Sequence, residues 1–289
     1  MLVSSLSLNK RMIQKVILEF RGEKMLYLNN KIVEINKFPN GEALMSCERF
    51  NLRDDLNEVK LNFQGDEDIT HLFFLKNHLD NLGVKCNLVI PYMPYSRMDR
   101  TEGITVFTLK YFCKLINSLN FCKVVIYEPH SDVSVALLDR IEVIDMSKLL
   151  AEKALNEIGS DDENVYLVYP DAGAAKRYGK QINYEKVLTA RKERDFKTGD
   201  IKNLIIDGST EGKNFKAIIV DDLCSRGGTF IYTAEKLKAL GAREIYLVVT
   251  HCENTIFQGD ILKNDLITKV YTTDSILSKE HEKIAIYRI

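Results

Sequence analysis

Ala217-Ile218-Ile219-Val220-Asp221-Asp222-Leu223-Cys224-Ser225-Arg226-Gly227-Gly228-Thr229-Phe230 is the stretch on which the fold turns. Its opening apolar run has the length and β-branched content of a buried parallel strand. Gly227-Gly228-Thr229 then opens an amphipathic segment, Phe230 to Leu240, that reads as a helix. Unpaired N–H groups at such a helix start favour a phosphate dianion. Glycines let the main chain approach the phosphate oxygens, and Ser225 and Thr229 add hydroxyl donors. Asp221 and Asp222 fall at the carboxyl end of the strand, where open α/β sheets place ligands, and can accept from vicinal ribose hydroxyls directly or through a divalent ion. The same string also fits a plain strand-to-helix turn with a solvated acidic corner.

Outward from that stretch, strands and helices alternate. Strands are expected at 59–63, 87–90, 123–127, 165–169, 186–189, 217–221 and 245–249, with helices near 69–82, 106–119 and 148–158. This alternation signals parallel sheets covered by helices. The first part reads differently, with strands at 16–20, 25–28 and 32–35, a hairpin turn at Asn29-Asn30, and a further strand running to Cys47. The acidic run Gly159 to Glu163 separates two α/β series, giving expected domains 1–146 and 147–289, and the strand-like tail 284–289 is read as returning to the first half.

Composition excludes some functions. With 289 residues, 45% hydrophobic and 28% charged, the chain is long enough for about two domains with their own cores. A formal net charge of -1 gives no field for nucleic acid or an anionic membrane, so anionic ligands must meet local basic clusters. Cys47, Cys86, Cys113, Cys122, Cys224 and Cys252 show no zinc-ligand spacing and read as reduced thiols of a cytoplasmic protein. Cys113 and Cys122 are expected in the core, and Cys224 is expected to act as a spacer in the loop. Met1 to Arg11 lacks a secretory apolar core, and no run reaches membrane-spanning length.

The 217–230 stretch resembles the phosphoribosyl pyrophosphate loop of the type I phosphoribosyltransferase fold, with Ser225 where that family most often has Asp and Arg226 where it has Thr. Pro91-Tyr92-Met93-Pro94-Tyr95-Ser96-Arg97-Met98-Asp99-Arg100 adds a second loop whose prolines forbid a continued ladder and whose arginines form a candidate anion clamp. It is similar to a loop of the ribose-phosphate pyrophosphokinases, and further motifs of that family follow in order. Phe38-Pro39-Asn40-Gly41-Glu42 resembles its adenine-reaching turn. Glu128-Pro129-His130-Ser131-Asp132 resembles the loop whose histidine lies by the metal and ATP phosphates. Tyr169-Pro170-Asp171, continuing to Arg177, resembles the segment whose acid holds a divalent ion or the ribose.

The resemblance implies an α/β protein of two similar type I phosphoribosyltransferase-like domains, each a mainly parallel sheet flanked by helices. It also implies ATP, a ribose 5-phosphate-type substrate, Mg2+, and a homo-oligomer, often a hexamer. By position, Phe38, Asn40, Glu42, Arg97, Asp99 and His130 fall to ATP. Asp171, Asp221, Asp222, Ser225, Arg226, Gly227, Gly228 and Thr229 fall to the ribose phosphate, and His130, Asp171, Asp221 and Asp222 to the metal. Lys192 and Arg194, beside a polar 195–200 stretch suited to a mobile lid, match the pair that closes over the triphosphate, so that they and His130 are the expected catalytic residues. The expected reaction moves the β,γ-diphosphate of ATP to an anomeric hydroxyl and releases AMP. The altered loop raises ADP-ribose as an acceptor beside ribose 5-phosphate. A phosphoribosyltransferase and a noncatalytic regulatory homologue stand as rival readings. Thr250-His251-Cys252-Glu253-Asn254 aligns with a family loop but takes no assigned role here.

Overall fold

A computed structural model describes residues 26–46, 52–101, 103–158, 164–194 and 201–289. The strand expected at 16–20, Cys47, and the polar stretches 159–163 and 195–200 lie outside the described residues. Two compact units divide the chain, residues 1–86 and 87–289.

In the first unit β1 (Leu26–Leu28) pairs antiparallel with β2 (Lys31–Ile32). Asn29 and Asn30 make the turn at φ 51° and 64°, the left-handed pair that a two-residue hairpin requires. β3 (Glu34–Lys37) and β4 (Ala43–Ser46) form a second hairpin, and β5 (Asn57–Leu61) pairs antiparallel with β1. Helix α1 (Glu67–Asn81) buries Leu72, Leu75 and Leu79, an i, i+3, i+7 stripe.

The second unit begins with three parallel strands, β6 (Cys86–Ile90), β7 (Val124–Tyr127) and β8 (Ile141–Ile144), with α2 (Thr108–Ser118) and α3 (Asp132–Leu137) between them in sequence. Its larger sheet contains β9 (Val165–Tyr169), β10 (Val187–Arg194), β11 (Ile201–Asp207), β12 (Phe215–Cys224), β13 (Ala242–Cys252), β14 (Lys269–Thr273) and β15 (Ile284–Tyr287). Their order across the sheet is β11-β10-β9-β12-β13-β14-β15, and only the β10–β11 pair is antiparallel.

Both faces of this sheet are covered, which is why its strands read as unbroken apolar runs. On β12, Ala217 and Ile219 pack with Phe230, Ala234 and Leu237 of α6 (Gly228–Leu240). Ile218 and Val220 point the other way, toward Leu150, Ala151 and Ala154 of α4 (Ser147–Ile158) and Ala174 and Tyr178 of α5 (Ala172–Gln181). The chain is therefore α/β, with mainly parallel sheet flanked by helices.

The tail corrects one expectation. β15 does not return to the first half but adds to β14, with Val270 opposite Ile284 and Thr273 opposite Tyr287. A four-residue, mostly apolar run can serve any open sheet edge, and here the edge of β14 takes it. The border expected near residue 146 falls in the short connection from β8 to α4. Among the described residues no helix is long and apolar enough to cross a membrane.

Candidate active site

Strand order fixes where a ligand can enter. From β9 the chain crosses through α5 to β10 on one side, and from β12 it crosses through α6 to β13 on the other. β9 and β12 are neighbours, so the order reverses between them, and their carboxyl ends are where an open α/β sheet binds its ligands. Asp171 follows β9 there, and Asp221 and Asp222 lie near the end of β12.

Asp171 caps α5, accepting from the Ala174 N–H at 3.0 Å. Asp221 is pushed well above the usual carboxylate range, first by burial, then by repulsion from Asp222, with Asp171 adding to it. Burial also pushes Asp222 up, but a hydrogen bond and charge from His130 outweigh it and hold Asp222 low. Nδ1 of His130 lies 2.5 Å from Asp222 Oδ2. That bond raises the His130 pKa against opposing burial, and Asp99 adds a smaller pull in the same direction.

His130 is held by its backbone. Arg177 on α5 donates to the carbonyls of Pro129, at 2.9 Å, and of His130 itself. His251, buried on β13, has its Nε2 3.0 Å from the Glu128 carbonyl. A carbonyl only accepts, so Nε2 carries the proton and Nδ1 accepts from Ser275 Oγ at 2.8 Å. Burial keeps this ring neutral by lowering its pKa. The Glu128 carboxylate closes the clamp, accepting from the Met146 and Ser147 N–H groups at the start of α4, at 2.8 and 2.9 Å.

The phosphate loop joins β12 to α6. Gly227 sits at φ 82°, and a Cβ there would come within 2.1 Å of Ile261 Cδ1, so both conformation and space require glycine. Arg226 is exposed, with its guanidinium 3.4 Å from Gln258 Oε1. Ser225 Oγ donates to Glu253 Oε2 at 2.7 Å, Thr255 Oγ1 donates to the same oxygen at 2.8 Å, and Arg97 donates to Glu253 Oε1 at 3.2 Å. Cys224 is fully buried beside Cys252 and, with that neighbour and burial both raising its pKa, fills space as an inert thiol.

Other expected site residues stand elsewhere. Phe38, Asn40 and Glu42 form the tip of the β3–β4 hairpin in the first unit, closed by Phe38 N–H to Glu42 O and Asn40 Oδ1 accepting from the Glu42 N–H. Lys192 and Arg194 lie on the outer end of β10. That strand pairs with β9 only as far as Thr189 opposite Tyr169, then continues past the sheet edge paired with β11. Gly228 and Thr229 form the first turn of α6.

Known proteins share this order of parts. No family model matches the chain. The ribose-phosphate pyrophosphokinase of Pyrococcus abyssi is 31% identical over 225 residues, covering 76% of this chain and 75% of that one. The chain belongs to the ribose-phosphate pyrophosphokinase family. The Sulfolobus acidocaldarius ribose-phosphate pyrophosphokinase is 28% identical over 265 residues, 89% of this chain and 88% of its own. A crystal structure of phosphoribosylpyrophosphate synthetase from Mycobacterium smegmatis matches the fold with a TM-score of 0.70 at 17% identity, over 89% of this chain and 85% of that one.

Within this ribose-phosphate pyrophosphokinase fold, the described residues bring together His130, Asp171, Asp221 and Asp222. Arg97 meets Ser225 through Glu253. Sequence reasoning missed Glu253, Arg177 as the holder of the His130 loop, and Glu128 as the anchor of α4. For Glu128 a local signal existed, a carboxylate directly after a buried strand.

Proposed function

We propose that this member of the ribose-phosphate pyrophosphokinase family transfers the β,γ-diphosphate of ATP to the anomeric hydroxyl of a 5-phosphoribosyl substrate. The hydroxyl oxygen bonds to the β-phosphorus, the bond from that phosphorus to the α,β-bridging oxygen breaks, AMP leaves with that oxygen, and the hydroxyl proton is released. The observation that supports this most is the meeting of Asp171, Asp221 and Asp222 at the reversal of strand order, with His130 against Asp222.

The donor set fits Mg2+. Among the described residues no group of three or more His, Cys, Asp or Glu side chains is arranged to hold a metal by itself. Mg2+ commonly takes only one or two carboxylates, with water and substrate phosphates completing its shell. Asp171 and Asp221 offer hard oxygen atoms, and the carboxylates of Asp222 and Asp171 repel Asp221, a repulsion that a cation would relieve. His130 has Nδ1 committed to Asp222, which leaves Nε2 for a metal or a phosphate. Bound Mg2+ would supply charge neutralisation at the transferring phosphoryl oxygens.

The side chains do the rest by position and charge. Arg97, Lys192 and Arg194 clamp the triphosphate, and the 225–229 loop takes the sugar ester. Asp221 and Asp222 orient the ribose hydroxyls. Phe38, Asn40 and Glu42 reach the adenine of a neighbouring subunit in a hexamer. The sugar-ester loop belongs to the C-terminal half, 147–289, and the free cysteines suit the reducing cytoplasm. Both ribose 5-phosphate and an extended ester of the ADP-ribose type are candidate acceptors. ATP-dependent AMP formation by the isolated protein with each acceptor tests the proposal, and silence with both would overturn it.

A further inference from the structure

Glu253 stands just past β13 with its carboxylate against the first residue of the phosphate loop. One of its oxygens, Oε2, accepts from both Ser225 Oγ and Thr255 Oγ1, at 2.7 and 2.8 Å, and those two hydroxyls lie 3.0 Å from each other. The Ser225 hydroxyl of the loop is thus already engaged by a carboxylate. Arg97 offsets part of that charge from 3.2 Å, but its side chain is 58% exposed and the pairing is screened by water.

An arriving 5-phosphoryl group meets this carboxylate according to its own charge. A phosphate monoester has a second pKa of about 6 and is close to a dianion at neutral pH. A phosphoryl group already inside a diester or diphosphate carries about one charge, and repulsion from a fixed carboxylate scales with charge. Ser225 brings no charge of its own, while Arg226 leaves an exposed cation on the same loop for a second phosphoryl group.

We propose that Glu253 sets the acceptor specificity by selecting against a terminal 5-phosphate dianion and in favour of a 5-phosphoryl group that is already esterified, as in a nucleoside diphosphate sugar. The proposal rests on the pyrophosphokinase reading above and names the substrate class of that same site. In kind it is exclusion by an unfavourable charge, which shapes specificity as strongly as any added contact.

Calorimetric titration of the whole protein with ribose 5-phosphate, ribose 5-(methyl phosphate) and ADP-ribose tests it. The methyl ester removes one charge with little change of size, so it separates charge from length. The wild-type protein should bind the methyl ester about tenfold more tightly than ribose 5-phosphate. Glu253→Gln keeps an oxygen that accepts from Ser225 and Thr255, and it should bring the two within about twofold by gaining affinity for ribose 5-phosphate. Glu253→Asp, which keeps the charge, should keep the wild-type ranking.

Equal wild-type affinities, or an unchanged ratio in the Gln variant, would overturn the role of Glu253. AMP formation from ATP, measured alongside, addresses the parent reading separately. Silence there with the binding ranking intact overturns the pyrophosphokinase reading alone, AMP formation with a flat ranking overturns the role of Glu253 alone, and failure of every probe to bind overturns both.

Discussion

Nδ1 of His130 lies 2.5 Å from Oδ2 of Asp222, although 92 positions separate them in the chain. The contact ties the loop after β7 to the end of β12. The Asp222 hydrogen bond lifts His130 above its ordinary 6.5, and His130 in turn holds Asp222 below 3.8 despite burial. In metal-free protein, nuclear magnetic resonance titration of the His130 ring should give a midpoint above 6.5, and Asp222→Asn should lower it. The sign of the stability effect follows from those directions. The share due to His130 is complete below its ordinary value and is lost as pH rises through the raised one. The share due to Asp222 is present above its ordinary value and is lost as pH falls through the depressed one. An unmoved midpoint in the Asn variant would mean that the pair does not form in solution.

Glu128 separates hydrogen bonding from charge. Its carboxylate satisfies the Met146 and Ser147 N–H groups, and burial raises its pKa above 4.5. Glu128→Ala orphans both donors and should cost about 2 kcal/mol in urea unfolding. Glu128→Gln keeps an acceptor and should cost much less. Because the acid is raised, wild-type stability should fall as pH climbs from 4.5 through the folded value, and the Gln variant should lack that fall. Equal losses in the two variants would contradict this account.

Gly259 seats the phosphate loop. A Cβ at this position would lie 1.9 Å from the Arg226 carbonyl oxygen, a backbone atom that cannot rotate away. Gly259→Ala should destabilise the protein by about 2 kcal/mol and displace residues 225–229, weakening sugar-ester binding. Urea unfolding and calorimetry read the two effects, and wild-type values in both would show that the seat yields freely.

Lys192 and Arg194 test the clamp. Replacing both with alanine should lower AMP formation by about 10³-fold, the scale of an arginine acting on a transferring phosphoryl group. Affinity for the sugar ester should stay near wild type, because the 225–229 loop is untouched. Normal turnover in the double variant would remove these residues from the reaction.

Much of this was legible locally. The Ala217 to Val220 run announces a strand buried on both faces because both faces are covered, and Asn29-Asn30 announces its hairpin because asparagine tolerates positive φ. The ordered motifs around Arg97, His130, Asp171 and Asp221 pointed to one family. Glu253 could not be read this way, since its partners Ser225 and Arg97 stand 28 and 156 positions away. The tail 284–289 was assigned to the first half because a short apolar strand carries no mark of the edge it will join.

By itself, the sequence determined the strands at 165–169, 217–221 and 245–249, the helices near 69–82, 106–119 and 148–158, and which residue types could meet a phosphate and a sugar, since periodicity, turn chemistry and glycine geometry act over a few residues; it did not mark β8, β11, β14, α3 or α5. Only the tertiary structure decided which charges face one another: that Asp222 raises the pKa of His130, that Asp221 is pushed toward its neutral form, and that Glu253 occupies the Ser225 hydroxyl of the loop. Electrostatic energy depends on distance and burial through space, and neither is a property of position along the chain.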